Sequence, residues 1–180
     1  MAVILAAGMG PVAAQGPKTA KLSEKITVIV GGGGNAATFE YEGGLLRTDD
    51  KYSKVGKPLL AALQKISSKP VRFLLNTPWH RDHAGSNENL GEIGAVILSH
   101  DNVRKRLSVD NFMLAFNAKV AAKKPIGLPV LAFTTETTFH LAGEEISIFH
   151  LANAHTDGDS AVHFKNANVI HAADVFFSVF

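Results

Sequence analysis

The segment VRFLLNT, residues 71–77, constrains the fold of this 180-residue chain more than any other stretch. It is apolar after Arg72 and shows no alternation of polar and apolar residues, which indicates a strand buried on both faces. A strand of that kind lies inside a sheet that other layers cover. Because strands come first and strand–helix–strand units follow, we predict an α/β architecture with a mixed sheet or two sheets and with helices outside.

The elements around this strand follow from local patterns. Apolar residues at helical spacing predict an amphipathic helix at 54–67, with Pro58 in its first turn. A short helix is expected in NENLGEIG and another from Asn102, capped by Asp101, whereas residues 111–122 fit a further helix or an irregular segment. The predicted strands are KITVIV, AATFEYEG, GGLLRTDD, AVILSH, a hairpin in FTTETTFHLAGEEISIFHLAN and two strands in SAVHFKNANVIHAADVFF.

Composition excludes several classes of protein. The formal net charge is +2, with both signs interspersed, so we expect no nucleic-acid partner. The run 104–106 is interpreted as a solvated helix face rather than a phosphate-binding patch. The chain has no cysteine, which excludes disulfides, thiolate ligands and a cysteine nucleophile. Any metal must be held by His, Asp, Glu or water, which suits zinc or another borderline divalent ion.

The first 20 residues differ from the rest of the chain. MAVILAAGMGPVAAQG is apolar, and Val12-Ala13-Ala14 has small residues at the alternate positions that a signal peptidase prefers, although a positively charged start is missing. We expect residues 1–20 to be a signal peptide of a periplasmic or secreted protein. The alternative is a disordered or strand-forming terminus on a cytoplasmic protein. No segment is long and apolar enough to span a membrane, and residues 21–180 are expected to form one domain.

A dense cluster of ligand-type side chains follows the buried strand. In NTPWHRDH, His80, Asp82 and His83 lie within four residues, on a loop that leaves the strand. Imidazole nitrogens and carboxylate oxygens are usual zinc ligands, and adjacent ligands point in different directions, so these three can serve two ions. The alternative is a polar turn whose histidines face water.

Later segments add further polar residues. His155 lies on a polar loop, and Asp174 is a carboxylate in an apolar strand context, where burial requires a partner such as a cation. Asp157 and Asp159 fit either metal ligands or, more simply, a turn. The histidines that we interpret as sheet-face or strand-end residues are His100, His140, His150 and His163.

The glycine run Gly31–Gly34 has a phosphate loop as one interpretation. It lacks the Lys-Ser/Thr of a P-loop, and a strand rather than a helix follows it, so no helix N-terminus is present to hold phosphate. We interpret the run as a hairpin turn. The competing interpretation, a nucleotide-binding module, predicts nucleotide affinity that a chelator leaves unchanged. No G-x-S-x-G motif indicates a serine nucleophile.

Three segments together, NTPWHRDHAGSNENLG, AHTDGDSAVHF and VIHAADVFF, resemble the metallo-β-lactamase superfamily. The family signature is His-x-His-x-Asp-His after a buried strand, then a lone His, an Asp and a final His. The GGN turn and GGLLRTDD add to the resemblance, which covers Ile26 to the end. It implies an αββα sandwich and a zinc-dependent hydrolase of a small molecule. In that family a metal-bound hydroxide attacks a carbonyl, here of an ester, lactone or amide, with β-lactams included.

The resemblance also implies a role for each ligand. His80 and His155 resemble ligands of a first zinc, and Asp82 and His83 resemble ligands of a second. Asp174 resembles the carboxylate that bridges both ions. Asp82 is further expected to orient the attacking water as the catalytic carboxylate.

Other residues modify that expectation. Asp49 resembles the aspartate that supports the metal loop, and His171 is expected behind the ligands. Pro78 stands in the place of the first signature histidine and has no donor atom, and the last histidine belongs to a segment beyond Phe180. We therefore expect an incomplete second half of the sandwich and one or two zinc ions at reduced occupancy. The alternative function is a metal-poor, inactive or truncated relative that binds metal or a partner without efficient turnover.

Overall fold

The structure is a computed structural model that describes residues 2–4, 6–7 and 18–178. Its α-helices are α1 (Gly56–Ile66), α2 (Arg81–Ala84), α3 (Asn87–Glu92) and α4 (Asp101–Leu107). Its strands are β1 (Ala2–Ile4), β2 (Ala6–Ala7), β3 (Lys18–Lys21), β4 (Ile26–Val30), β5 (Ala36–Tyr41), β6 (Gly44–Thr48), β7 (Val71–Asn76), β8 (Val96–His100), β9 (Asn111–Met113), β10 (Ala118–Val120), β11 (Leu131–Phe133), β12 (Glu136–Leu141), β13 (Glu144–His150), β14 (Ser160–Phe164), β15 (Val169–His171) and β16 (Phe177–Ser178).

The larger sheet has seven strands in the order β11–β8–β7–β6–β5–β4–β3. Strand β7, which comes from the opening segment, lies between β6 and β8 and runs parallel to both. Its Leu75 joins a core cluster that contains residues of both large sheets, whereas Leu74 joins a cluster with Leu63 of α1 and Leu90 of α3. Both faces of the strand are therefore covered, as the apolar run predicts.

The smaller of the two large sheets has five strands in the order β1–β15–β14–β13–β12. Its apolar residues, such as Ile146 and Phe164, pack against Ile26 and Phe39 of the larger sheet. The hairpin between β12 and β13 turns at Ala142 and Gly143, which both have positive φ, as a two-residue hairpin turn requires. The result is a sandwich of two sheets with α1 and α3 packed on the outside of the larger one.

The N-terminal segment contributes strands of its own. Strand β1 pairs in parallel with β15, and β2 pairs in parallel with β16. Residues 1, 5 and 8–17 of the expected signal peptide lie outside the described residues. Within the described part of the chain, no helix is long and apolar enough to cross a membrane.

Three local predictions were wrong. Residues 111–120 form the hairpin β9–β10 around a 3-10 turn at Leu114–Phe116, rather than a helix. The cap of α4 is His100, whose Nδ1 accepts from the backbone N–H of Asn102, and Asp101 is already helical. Asp174 lies in a 3-10 turn, Ala173–Val175, just after β15 rather than in a strand.

Candidate metal centre

The loop after β7 is ordered by one turn of helix. His80 has an extended backbone and its carbonyl accepts from the N–H groups of His83 and Ala84, which begins α2. The helical turn replaces the loop that the sequence predicts at this point. It leaves His80 half-buried at the helix start and places His83, which is fully buried, inside the protein.

Three of the predicted ligands form a nearly equilateral triangle. His80 Nδ1 and His155 Nε2 are 3.3 Å apart, and each is 3.6 Å from Asp174 Oδ2. Two ligands of a tetrahedral zinc ion at about 2.0–2.1 Å are about 3.3–3.4 Å from each other, so the triangle fits such an ion. Three protein ligands leave a fourth position for water or substrate, as in catalytic zinc sites. The donor set therefore fits a divalent metal.

Asp174 faces the two halves of the site with different oxygens. Its Oδ2 belongs to the triangle, whereas Oδ1 accepts a hydrogen bond from His83 Nε2 at 3.0 Å. Asp82 Oδ2 lies 3.6 Å from the same His83 nitrogen. The structure thus brings together all five predicted ligands, with the Asp174 carboxylate between His80 and His155 on one side and His83 on the other.

The buried carboxylate of Asp49 accepts several hydrogen bonds next to the predicted ligands. Its carboxylate accepts from His83 Nδ1 at 2.8 Å and from His171 Nε2 at 3.1 Å. It also accepts from the backbone N–H and the hydroxyl of Thr77, at 2.8 and 2.6 Å. A carboxylate behind a metal-facing imidazole fixes the orientation and basicity of the ring. Asp49 therefore contacts the predicted ligand His83 directly, and His171 contacts Asp49.

Asp49, His83 and Asp174 form a line of alternating charge. Burial by itself would raise the pKa of Asp49, but attraction to His83 and hydrogen bonds from His171 and His83 hold that pKa well below its usual range. Burial would also raise the pKa of Asp174, and contacts with His80 and His83 outweigh it, so this pKa is low. Burial would lower the pKa of His83, but the two carboxylates raise it well above its ordinary value. In the metal-free protein the two carboxylates therefore favour the protonated form of the His83 ring that lies between them.

The glycine run is a hairpin turn between β4 and β5, and it covers the site. The backbone N–H of Gly34 donates to Asp82 Oδ2 at 3.2 Å. A Cβ on Gly34 would overlap the imidazole of His83, and one on Gly33 would lie 2.7 Å from the Cβ of Asp82. The close approach of this turn to two predicted ligands explains why side chains are missing here.

Lys51 holds the turn in place. The side chain is fully buried, and its ammonium donates to the carbonyl oxygen of Gly34 at 2.6 Å. Burial, followed by repulsion from Arg47, lowers the pKa of Lys51 to about 7, although Asp49 and Asp82 oppose the shift. The sequence predicted the hairpin turn at Gly31–Gly34 but not its contact with the ligands, and it gave no sign of Lys51, because no local pattern marks a buried lysine.

The His155 loop is built on a different set of contacts. Asp159 accepts from the hydroxyl of Thr156 at 2.6 Å and from its backbone N–H, which is the turn role considered for it. His150 Nδ1 donates to the carbonyl of Asp159 at 2.8 Å, and the His150 ring stacks on His100 with centroids 3.9 Å apart. These two histidines thus tie strand ends of the two sheets together beside the site.

A sequence-family model described as the metallo-β-lactamase superfamily matches residues 26–180, which is most of the chain. This chain belongs to the metallo-β-lactamase superfamily. Pro78, in the place of the first signature histidine, is buried, and the His80–His155–Asp174 triangle forms without it.

Solved structures of metallo-β-lactamases share the fold. The enzyme from Pontibacter korlensis superposes with a TM-score of 0.69 at 18% identity, over 87% of this chain and 70% of that one. A subclass B3 enzyme of Bradyrhizobium japonicum gives 0.67 at 18% identity, over 84% of this chain and 57% of that one. One from Cronobacter sakazakii gives 0.69 at 13% identity, over 80% and 56%. The predicted metallo-β-lactamase fold, in a chain that spans only part of such proteins, is confirmed.

Proposed function

We propose that this member of the metallo-β-lactamase superfamily is a zinc-dependent hydrolase of small molecules that carry an ester, lactone or amide carbonyl, β-lactams included. The observation that carries the proposal is the triangle of His80 Nδ1, His155 Nε2 and Asp174 Oδ2, with separations of 3.3–3.6 Å. Superfamily membership and the match to metallo-β-lactamases support the reaction class. Substrate and metal identity are part of the proposal because the chain spans about 56–70% of the structures described above.

Each side chain of the site has a distinct proposed role in hydrolysis. His80, His155 and Asp174 would hold one ion, and Asp82 and His83 would hold a second at lower occupancy. The ion, when bound, would act as a Lewis acid and lower the pKa of a coordinated water to about 7. Asp82 would orient the attacking water and accept its proton, because 23% of its side chain is exposed beside the triangle. The proton would then pass to the leaving oxygen or nitrogen as the acyl bond breaks.

A second candidate function is metal or partner binding without efficient turnover. Two observations favour it. Pro78 offers no donor atom, and Gly34 packs directly on the His83 ring that would hold a second ion. We therefore expect less than two zinc ions per chain in the purified protein, and two tightly held ions would contradict the role given to Pro78.

Metal analysis combined with a hydrolysis screen tests the proposal. The protein is loaded with zinc, desalted, and assayed for bound metal and for hydrolysis of β-lactams, lactones, esters and thioesters. We expect His155→Ala to lose both metal and activity, whereas His140→Ala, an exposed histidine on β12, should keep both. Metal retained without any turnover would support the second function. Metal content unaffected by His155→Ala would overturn the site itself.

We further propose export to the periplasm or outside the cell, with residues 1–20 as the signal. Fractionation of cells that express the full chain tests this location, with N-terminal sequencing of the product. A protein recovered in the cytoplasm with residue 1 or 2 at its N-terminus would contradict it.

A further inference from the structure

Helix α4 packs against the loop that carries His155. The side-chain amide of Asn102 donates to the carbonyl of Asp157 at 2.7 Å. A Cβ on Gly158 would lie 2.7 Å from Cγ2 of Val103, so the loop backbone lies directly on the helix. The loop is therefore held to one helix immediately after the histidine.

Arg106, at the last turn of α4, makes the charged contact with this loop. Its Nη2 and Nε donate to Asp157 Oδ2 at 3.0 and 3.2 Å. The Asp157 carboxylate thus belongs to this pair and lies outside the metal triangle. An arginine that engages a carboxylate through two of its nitrogens fixes orientation as well as distance.

The same guanidinium also contacts the loop that carries His80. Its Cζ lies 5.9 Å from the centroid of the Trp79 ring, within the range of a cation–π interaction. Trp79 meets the His80 ring edge-on, with centroids 4.9 Å apart, and His80 in turn meets His155 at 4.9 Å. Arg106 therefore contacts both Trp79, the residue before His80, and Asp157, which lies two positions after His155.

We propose that Arg106 is a positioning residue that sets the separation of His80 and His155, and with it the metal affinity of the site. The inference rests on the proposed metal site and adds a residue to it. Arg106 and Asp157 are 48% and 44% exposed, so the pair contributes little to folding stability, but Arg106 contacts two loops that each carry a predicted ligand. The sequence interpretation of residues 104–106 as a solvated face missed this role, because the partners are 27 and 51 positions away.

Cobalt and zinc titrations of the metal-free protein test the inference, with Lys105→Gln as the matched control on the same helix. We expect Arg106→Gln to weaken metal binding about three- to tenfold, which lies within the combined worth of an exposed ion pair and a cation–π contact. Lys105→Gln should leave affinity unchanged, because the Lys105 ammonium donates to Asn102 Oδ1 of its own helix at 3.3 Å. Both variants should remain fully folded when metal-free, which denaturant unfolding checks.

Two further variants separate positioning from general damage. Arg106→Lys keeps the charge over Trp79 but loses the two-nitrogen contact, so its affinity should fall between those of the wild type and Arg106→Gln. The difference between wild type and Arg106→Gln should shrink in 1 M salt, where the Debye length is about 3 Å. Equal affinities for Arg106→Gln and Lys105→Gln would overturn the inference. If His155→Ala also left metal binding intact, the proposed function would fail first, so the two failures are distinguishable.

Discussion

Replacing Gly34 by alanine tests how tightly the glycine turn is fitted to the site. The built Cβ would overlap Cε1 and Nε2 of His83, and it would lie 3.0 Å from Nδ1. Because ordinary contacts begin near 3.4 Å, the ring or the turn would have to move by about 1 Å, in an interior packed as densely as a crystal. No positive φ is involved at this residue, so the cost is steric alone.

The expected penalty has two parts. Overpacking of this kind lowers the free energy of unfolding by about 1–3 kcal/mol. A displaced His83 also loses its bonds to Asp49 and Asp174, which measure 2.8 and 3.0 Å. Losing partners of that type costs about 10–100-fold in metal affinity. We therefore expect Gly34→Ala to bind zinc at least tenfold more weakly than the wild type.

Gly31→Ala provides the control for this prediction. Gly31 has φ +84° and no atom within 4 Å of a built Cβ, so alanine there strains the backbone without contacting the site. It should cost about 1–2 kcal/mol of stability and leave metal affinity unchanged. Both variants are measured by urea unfolding of the metal-free protein and by zinc competition with a chromophoric chelator. Wild-type affinity in Gly34→Ala would refute the close fit of the turn to His83.

Three further predictions concern the charges and ligands of the site. Pro78→His should raise the zinc content, because it restores a donor at the first signature position, and unchanged content by elemental analysis would count against the ligand assignment. Since the pKa of Lys51 falls from 10.5 to about 7 on folding, the unfolded chain binds more protons between these values, and stability should rise with pH there. The gain is at most roughly 4–5 kcal/mol, and Lys51→Met should remove it in urea titrations of the metal-free protein; parallel pH curves would exclude the buried charge. Because the pKa of His83 is raised by Asp49 and Asp174, zinc binding near pH 7.5 should release a proton from that ring, which calorimetry in buffers of different ionisation enthalpy detects; buffer-independent heats would show that the ring is already neutral.

Local patterns predicted much of the fold. The uninterrupted apolar run of β7 indicates a strand covered on both faces, and the alternating residues around Ala142-Gly143 indicate a hairpin. Both patterns involve only residues that are close together in the sequence, so tertiary contacts do not change the structure that they predict. The expectation of a helix or an irregular segment at residues 111–122 was wrong, because the apolar residues there fit more than one period. The hairpin that forms instead depends on pairing across it, such as that of Phe112 with Lys119.

The metal ligands could be predicted where residue type and order along the chain leave few alternatives. His80, Asp82 and His83 stand out by their density, and His155 and Asp174 become credible only through the resemblance to a family. Residues that act across space carried no such signal. Gly34 packs against His83, and Lys51 bonds to the Gly34 carbonyl. Arg106 contacts Trp79 and Asp157, which are near His80 and His155 in the chain. The residues next to Gly34, Lys51 and Arg106 in the sequence do not indicate these partners.

The central claim is that His80, His155 and Asp174 hold one metal ion together. Crystals grown with zinc and measured on both sides of the zinc absorption edge locate the ion directly. We expect an anomalous peak about 2.0–2.2 Å from His80 Nδ1, His155 Nε2 and Asp174 Oδ2. A fully loaded protein whose only peak lies away from these three atoms would contradict the account.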